Sequence, residues 1–190
     1  MLTSDIKTNI IDCKIVPVQA NRDGRGCLYE VFRESWDGAF PTVQWNVCSS
    51  ISGVVRGVHV HADYHEFYTL PRGIVELGLV DIRRDSSTFG NSFQAEWSDK
   101  DDVAVVVPKG VAHVVNFLED SVLAFGLSGY WRKEYDIIGC QWNDPELGFK
   151  WKNDESLQSC RDSQSGSFKQ MIIDYERIST LLEPISAING

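Results

Sequence analysis

Short runs of β-branched and aromatic residues, each closed by Gly, Asp, Asn or Pro, recur along most of this chain. CKIVPVQ, GCLYEVFRE, TVQWNVCSS, GVVRGVHVH, HEFYTLP, GIVELGLVDIR, SFQAEWS, VAVVVP, HVVNFL and SVLAFGLSGYW follow one another with almost no helical periodicity between them. About ten short strands at this spacing predict an all-β sandwich or barrel. The run Val103–Val107 lacks the polar alternation of a half-solvated strand, so it is expected deep inside, covered on both faces. Only the tail differs. Met171, Tyr175, Ile178 and Leu182 fall at helical spacing, which predicts an amphipathic helix from about Phe168 to Leu182. The Ser-, Asp- and Gln-rich stretch 153–166 reads as a loop leading to it. The expected organisation is a barrel domain over 1–165 and a helical extension over 166–190 that packs on it. A chain of 190 residues, 43% of them hydrophobic, has enough apolar material for one packed core.

A net charge of −9 and a pI near 4.9 argue against broad nucleic-acid or anionic-membrane binding. An anionic small molecule remains compatible, because a few local arginines can overrule a distant negative surface. The cysteines Cys13, Cys27, Cys48, Cys140 and Cys160 are odd in number and show no C-x-x-C pairing. Reduced intracellular thiols are therefore expected, with packing rather than chemical roles. The start MLTSDIKTNII has no basic segment followed by an apolar one, and no run reaches membrane-spanning length. A soluble cytoplasmic protein is expected.

Three of the four histidines fall in two linked patterns. Gly53, His59, His61, Glu66 and Gly73 satisfy G-x5-H-x-H-x4-E-x6-G, and Pro108, Gly110, His113 and Asn116 form P-x-G-x2-H-x2-N. These match the two signatures of cupin barrels, except that the second lacks its leading Gly, where Asp102 stands, and carries its Asn one position early. The expected fold is accordingly a cupin, a double-stranded β-helix jelly roll with a short C-terminal helix. Residues two apart on a strand share a face, so His59 and His61 are expected to enter one cavity. A hairpin-paired neighbour would bring Glu66 beside them, and a second strand pair would bring His113. Three imidazoles and a carboxylate suit Zn, Fe, Mn or Ni, and open positions would make such a metal catalytic. The same residues also fit a wet, metal-free pocket. His65, next to Glu66 on the opposite pleat face, is expected at the rim or surface.

From about residue 12 to 165 the chain also resembles the dTDP-4-dehydrorhamnose 3,5-epimerases, cupins that epimerise nucleotide-linked 4-keto-6-deoxy sugars. The matching segments are DGRGCLYEVF from Asp23, QWNVCSS from Gln44, GVVRGVH from Gly53, VDIRRDSSTFG from Val80, PKGVAH from Pro108 and WNDPELGFKW from Trp142. The resemblance implies that His59 is the general base and that Asp162, in SCRD, orients it. It implies that Arg25, Glu30, Gln44, Asn46, Arg56 and Arg161 hold the nucleotide, its pyrophosphate or the sugar, with His113 as a second pocket histidine. Tyr130 and Trp131 are also candidate binding residues, Trp131 standing where the family has a pocket aromatic. A homodimer that exchanges N-terminal strands is implied as well, and no cofactor is required for that reaction.

Two positions depart from the family pattern. Phe125, in LAFGLSGYW, aligns with the family's tyrosine acid, and phenylalanine has no proton to give. Glu66 stands where the family has a lysine, and His61 where it usually has Gln. A carboxylate facing an enolate has the wrong sign unless it is protonated or metal-bound. Tyr64, Tyr68 and Tyr130 are candidates for the missing acid, each weighed against a packing role. Trp45, Trp142 and Trp151 are expected to be packing residues. The leading expectation is a 3- or 3,5-epimerase of a dTDP- or other NDP-4-keto-6-deoxyhexose, feeding deoxysugar or polysaccharide synthesis. The alternatives are a metal-dependent cupin enzyme, such as a sugar ketoisomerase or oxygenase, with a divalent metal on His59, His61, Glu66 and His113, and a non-catalytic sugar-nucleotide binding module.

Overall fold

The apolar run Val103–Val107 is a strand whose five residues are all buried. Its position in the fold explains why polar alternation would fail there. In the computed structural model, which describes residues 2–135, 138–153 and 155–182, the strands are as follows. They are β1 Lys14–Pro17, β2 Ala20–Asp23, β3 Gly26–Tyr29, β4 Gln44–Ser50, β5 Val55–His59, β6 Glu66–Arg72, β7 Ile74–Asp81, β8 Ser92–Ser98, β9 Val103–Val107, β10 Val111–Phe117 and β11 Ser121–Leu127. One sheet runs β1-β9-β6-β11-β4 and the other β5-β10-β7-β8, with β2-β3 as a separate hairpin. All ladders between named strands are antiparallel.

The strand period of two sorts side chains between a middle layer and two outer ones. Tyr68, Leu70, Val105, Val107 and Leu123 of the first sheet meet Leu77, Leu79, Trp97, Val115 and Phe117 of the second in the central core. The alternate residues of β6 and β9, Phe67, Ala104 and Val106, face outward under Val16, Val18, Phe32, Trp36 and Phe40. Both faces of β9 are thus covered, as its unbroken apolar run predicts.

The second sheet is covered by the tail. Two helices form, α1 Cys160–Ser163 and α2 Phe168–Leu182. Helix α2 matches the predicted boundaries and packs Met171 and Ile178 with Val80, Ala112 and Val114. Burying each of these two side chains is worth about 1.5–3 kcal/mol. The first backbone N–H of α2, on Phe168, donates to Asp144 Oδ2 at 2.8 Å, which satisfies an amide the helix itself cannot. The end of the predicted extension, residues 183–190, lies outside the described residues.

One glycine sets the geometry near the histidines. Gly57 has φ +114, and a Cβ there would sit 2.6 Å from the His113 carbonyl oxygen. Only a residue without a Cβ tolerates both that conformation and that approach. The close contact lies where the β5–β10 register shifts, and His59 is left directly opposite His113.

Candidate active site

A cavity of about 450 Å³ opens between the two sheets. Its floor and walls carry Gln44, Asn46 and Cys48 from β4, Arg56 and His59 from β5, and Glu66 and Tyr68 from β6. His113 from β10, Phe125 from β11, and His61, Tyr64, Trp131, Ser159, Arg161 and Asp162 complete the polar and aromatic lining. His59 and His113 are cross-strand neighbours in one sheet, not members of two separate strand pairs. Glu66 reaches the histidines from the opposite sheet, not from a hairpin-paired neighbour of β5. Both differences arise because a jelly roll closes through nonlocal pairings that local sequence spacing does not encode.

His59 Nε2 lies 2.8 Å from Asp162 Oδ1. Burial raises the Asp162 pKa, but hydrogen bonds from His59 and Ser159 outweigh it and hold the carboxyl below its ordinary value. An ionised carboxylate only accepts, so Nε2 carries the hydrogen and Nδ1 keeps the lone pair. The carboxylate therefore fixes the tautomer in which His59 can take a proton at Nδ1.

The segment that delivers Asp162 falls in the stretch expected to be a loop. It is a strap with one short helix. Ser159 caps α1, its hydroxyl accepting from the Asp162 amide at 3.1 Å. Leu157 exchanges backbone bonds with Gly53 and Val55, and the Gly166 carbonyl accepts from the Gln141 amide. Between those anchors the Gln141 side-chain amide donates to the carbonyls of Ser163 and Ser165 at 3.0 and 2.9 Å. The Ser159-x-x-Asp162 spacing is a capping pattern that could have signalled this helix, whereas nothing in the sequence points to Gln141.

On the other side of the cavity Glu66 is the centre of a network. Tyr68 donates its hydroxyl to Glu66 Oε2 at 2.6 Å. His113 Nε2 is 3.1 Å from the same oxygen, and His61 Nε2 is 3.6 Å from Oε1. Tyr64 Oη is 2.9 Å from His61 Nδ1. Burial, then the nearby His59, push the His113 pKa down to about 3. Burial and then His113 hold His61 well below the ordinary histidine value. Burial, reinforced by Glu66, holds the Tyr68 phenol well above its ordinary value. At neutral pH these are two uncharged imidazoles and a protonated phenol. Phe125 packs edge-on against Tyr68 with centroids 5.8 Å apart.

The other candidate residues divide clearly. Gln44, Asn46, Arg56, Trp131 and Arg161 line the cavity, and the Trp131 amide donates to Gln44 Oε1 at 3.0 Å. Arg25, Glu30 and Tyr130 do not line it. Arg25 sits on the β2–β3 hairpin, with its side chain 91% exposed and paired to Asp23, while Glu30 pairs with Arg33. Tyr130 is 67% exposed. His65 also lies outside, accepting from the Lys109 amide at 3.3 Å. Of the tryptophans expected to pack, Trp142 is buried, Trp151 is partly buried against it and Trp45 is exposed. No helix among the described residues is long and apolar enough to cross a membrane.

Two facing antiparallel sheets enclosing a histidine-lined cavity define a cupin-like jelly roll. Residues 7–170 match the family model described as dTDP-4-dehydrorhamnose 3,5-epimerase, and the chain belongs to that family. A dTDP-4-dehydrorhamnose 3,5-epimerase of Neisseria gonorrhoeae is 32% identical over 155 residues, covering 77% of this chain and 46% of that protein. The chain thus spans about half the length of that relative. The dTDP-6-deoxy-D-glucose-3,5-epimerase RmlC of Legionella pneumophila, solved with dTDP-4-keto-L-rhamnose, superposes with a TM-score of 0.77. It is 27% identical, over 85% of this chain and 90% of that one. ChmJ, a 3'-monoepimerase of Streptomyces bikiniensis solved with dTDP-quinovose, gives a TM-score of 0.76 at 27% identity, over 89% and 88%.

Proposed function

We propose that this chain is a nucleotide-sugar epimerase acting on a dTDP- or other NDP-4-keto-6-deoxyhexose, inverting C3, C5 or both. The observation that carries the reading is the His59–Asp162 pair, 2.8 Å apart, at the wall of a sugar-sized cavity that also holds Arg56 and Arg161. A C4 ketone acidifies the protons on C3 and C5. His59 Nδ1 removes one, Asp162 stabilises the imidazolium that results, and an enolate forms. Return of a proton to the opposite face inverts the carbon. Arg56 and Arg161 bind the diphosphate through charge-assisted bonds. Gln44 and Asn46, hydrogen-bonded to each other at 3.1 Å, contact the sugar or nucleotide, and Trp131 stacks on the base. Proton abstraction by an imidazole requires no cofactor.

Arg25 and Glu30 act in the cavity of a second copy. The β2–β3 hairpin is exposed and stands apart from both sheets, and Leu28 on it is 71% exposed. A homodimer exchanging this N-terminal region would cover Leu28 and bring Arg25 to the partner's nucleotide. The net charge and five free cysteines support a cytoplasmic enzyme. The barrel over 1–165 and the extension over 166–190 work as one unit in this reading, since α2 completes the outer core.

The test is NMR of dTDP-4-keto-6-deoxyglucose incubated with the protein in D2O. Deuterium entering at C3 or C5 is expected. Tight dTDP binding with no exchange would favour the binding-module reading instead.

A further inference from the structure

We propose that Gln141 is a positioning residue for the proton-transfer step: its side-chain amide holds the strap so that Asp162 meets His59. Gln141 does not line the cavity. It ends a short stretch that runs beside the end of β5. There His59 bridges to Gly139, and the backbones of Val58 and Cys140 exchange bonds at 3.4 and 3.2 Å. A Cβ on Gly139 would stand 2.5 Å from the Val58 carbonyl oxygen and 3.7 Å from both His59 Cδ2 and Ser165 Oγ. The 139–141 segment is thus wedged between the strand that carries the base and the strap that carries its carboxylate.

The bonds on Gln141 complete a helix that the strap cannot complete alone. An α-helix leaves its last four carbonyls without partners of its own. In α1 the Cys160 carbonyl accepts from the Ser163 hydroxyl, that of Arg161 from the Gln164 amide and that of Asp162 from the Ser165 amide. The fourth, on Ser163, accepts from Gln141 Nε2 at 3.0 Å, and the second hydrogen of the same amide goes to the Ser165 carbonyl at 2.9 Å. The Gln141 backbone N–H donates to the Gly166 carbonyl at 3.0 Å. Asp162 is the one buried residue of this four-residue helix. Packing therefore does little to hold α1, and its two caps, Ser159 and Gln141, set where the carboxylate lies.

The role rests on the epimerase reading. Asp162 fixes the tautomer that frees His59 Nδ1 only while its carboxylate stays within hydrogen-bond reach of Nε2, at 2.8 Å. Without the Gln141 amide the C-terminal end of α1 loses its tie to the 139–141 segment, and Asp162 moves with it. A misplacement of about 1 Å caused by a residue away from the chemistry costs about 100-fold in rate. Gln141 touches no reacting atom and acts through Asp162.

Two variants of the full chain test this. Gln141→Leu removes both donors, and Gln141→Glu keeps the shape but turns a carboxylate toward two carbonyl oxygens. Each should lower deuterium entry into dTDP-4-keto-6-deoxyglucose by about 10–100-fold. In an Asp162→Ala background the same changes should cost less than about 2-fold, because a residue acting through Asp162 then has nothing to position. Gln141→Leu should also weaken the downfield proton NMR resonance of the His59 imidazole N–H, which a remote loss of stability would leave in place. Hydrogen exchange of the ligand-free protein gives a measure independent of activity. The Gln164 and Ser165 amides should exchange at least about 10-fold faster in Gln141→Leu, with those of β9 and β10 unchanged. An unaltered rate in either variant, an equal loss with and without Asp162, or faster exchange spread evenly into β9 and β10 would each overturn the proposal. Absence of deuterium entry with the wild-type protein would remove the epimerase reading, while the amide exchange would still decide whether Gln141 holds the strap.

Discussion

The two walls of the cavity are built on different chemical plans. On one, His59 and Asp162 make a base with a fixed tautomer, the pairing that the family resemblance implies. On the other, Phe125, Glu66 and His61 stand where the resemblance implies a tyrosine, a lysine and a glutamine, and a hydrogen-bonded cluster fills the space. On the proposed epimerase reading, proton removal is preserved, while the stabilisation and return of charge are rebuilt. One fold can keep half a mechanism and exchange the other half, because the two halves come from different elements. His59 sits on β5 with its carboxylate on the strap, whereas Glu66 and Tyr68 arrive from the facing sheet.

The largest expected effect falls on the preserved wall. His59→Ala should reduce deuterium incorporation at C3 and C5 by about 10²–10⁴-fold. Undiminished exchange, followed by NMR, would break the division between the walls. The next effect belongs to the rebuilt wall and is read as stability against pH. His113 and His61 are held neutral in the fold, with His113 lowered to about 3, whereas an unfolded histidine titrates near 6.5. Between those values the unfolded chain binds protons that the native chain refuses. Stability is then full above about pH 6.5 and falls as pH drops, by about 1.4 kcal/mol per pH unit for each such group. Asp162, shifted down rather than up, adds no loss until below about pH 4. Urea unfolding from pH 7.5 to 5 should show this slope, and His113→Gln should remove about one proton's share.

Smaller changes sharpen the contrast. Phe125→Tyr places a phenol beside Tyr68, and an increase in sugar inversion of about 10-fold is expected if proton return limits the rate. An unchanged rate would mean that the rebuilt wall does without this acid. Arg25→Ala tests the part outside both walls. It should raise KM about 10-fold with kcat unchanged, as loss of one charged hydrogen bond to the nucleotide would. Sedimentation should show a dimer, and an unaltered KM would remove Arg25 from the site.

Much of this arrangement could be read from residue order. The apolar run of β9 and the spacing of Met171 and Ile178 reported burial directly, since periodicity is a local property. The pairing of the sheets was not local. His59 and His113 are 54 positions apart yet face each other across one ladder, and Glu66 crosses from the other sheet. Those facts follow from closure of the whole sandwich rather than from any single run. Asp162 could be identified only through the family pattern, because a Ser- and Gln-rich stretch carries little signal for the helix that delivers it. Arg25 and Glu30 show the opposite case, where the pattern marks residues that one copy of the chain does not bring to its own cavity.

The strap from Leu157 to Gly166 has a thermodynamic consequence. Asp162 is carried neither by a sheet strand nor by the core, but by one helical turn tied at two ends and steadied by Gln141. Releasing those few ties costs far less than exposing the sandwich interior, so the strap is expected to exchange its amides through a sub-global opening. On the proposed reading catalytic competence is then set by a local equilibrium, and warming should silence His59 while the barrel around it is still folded.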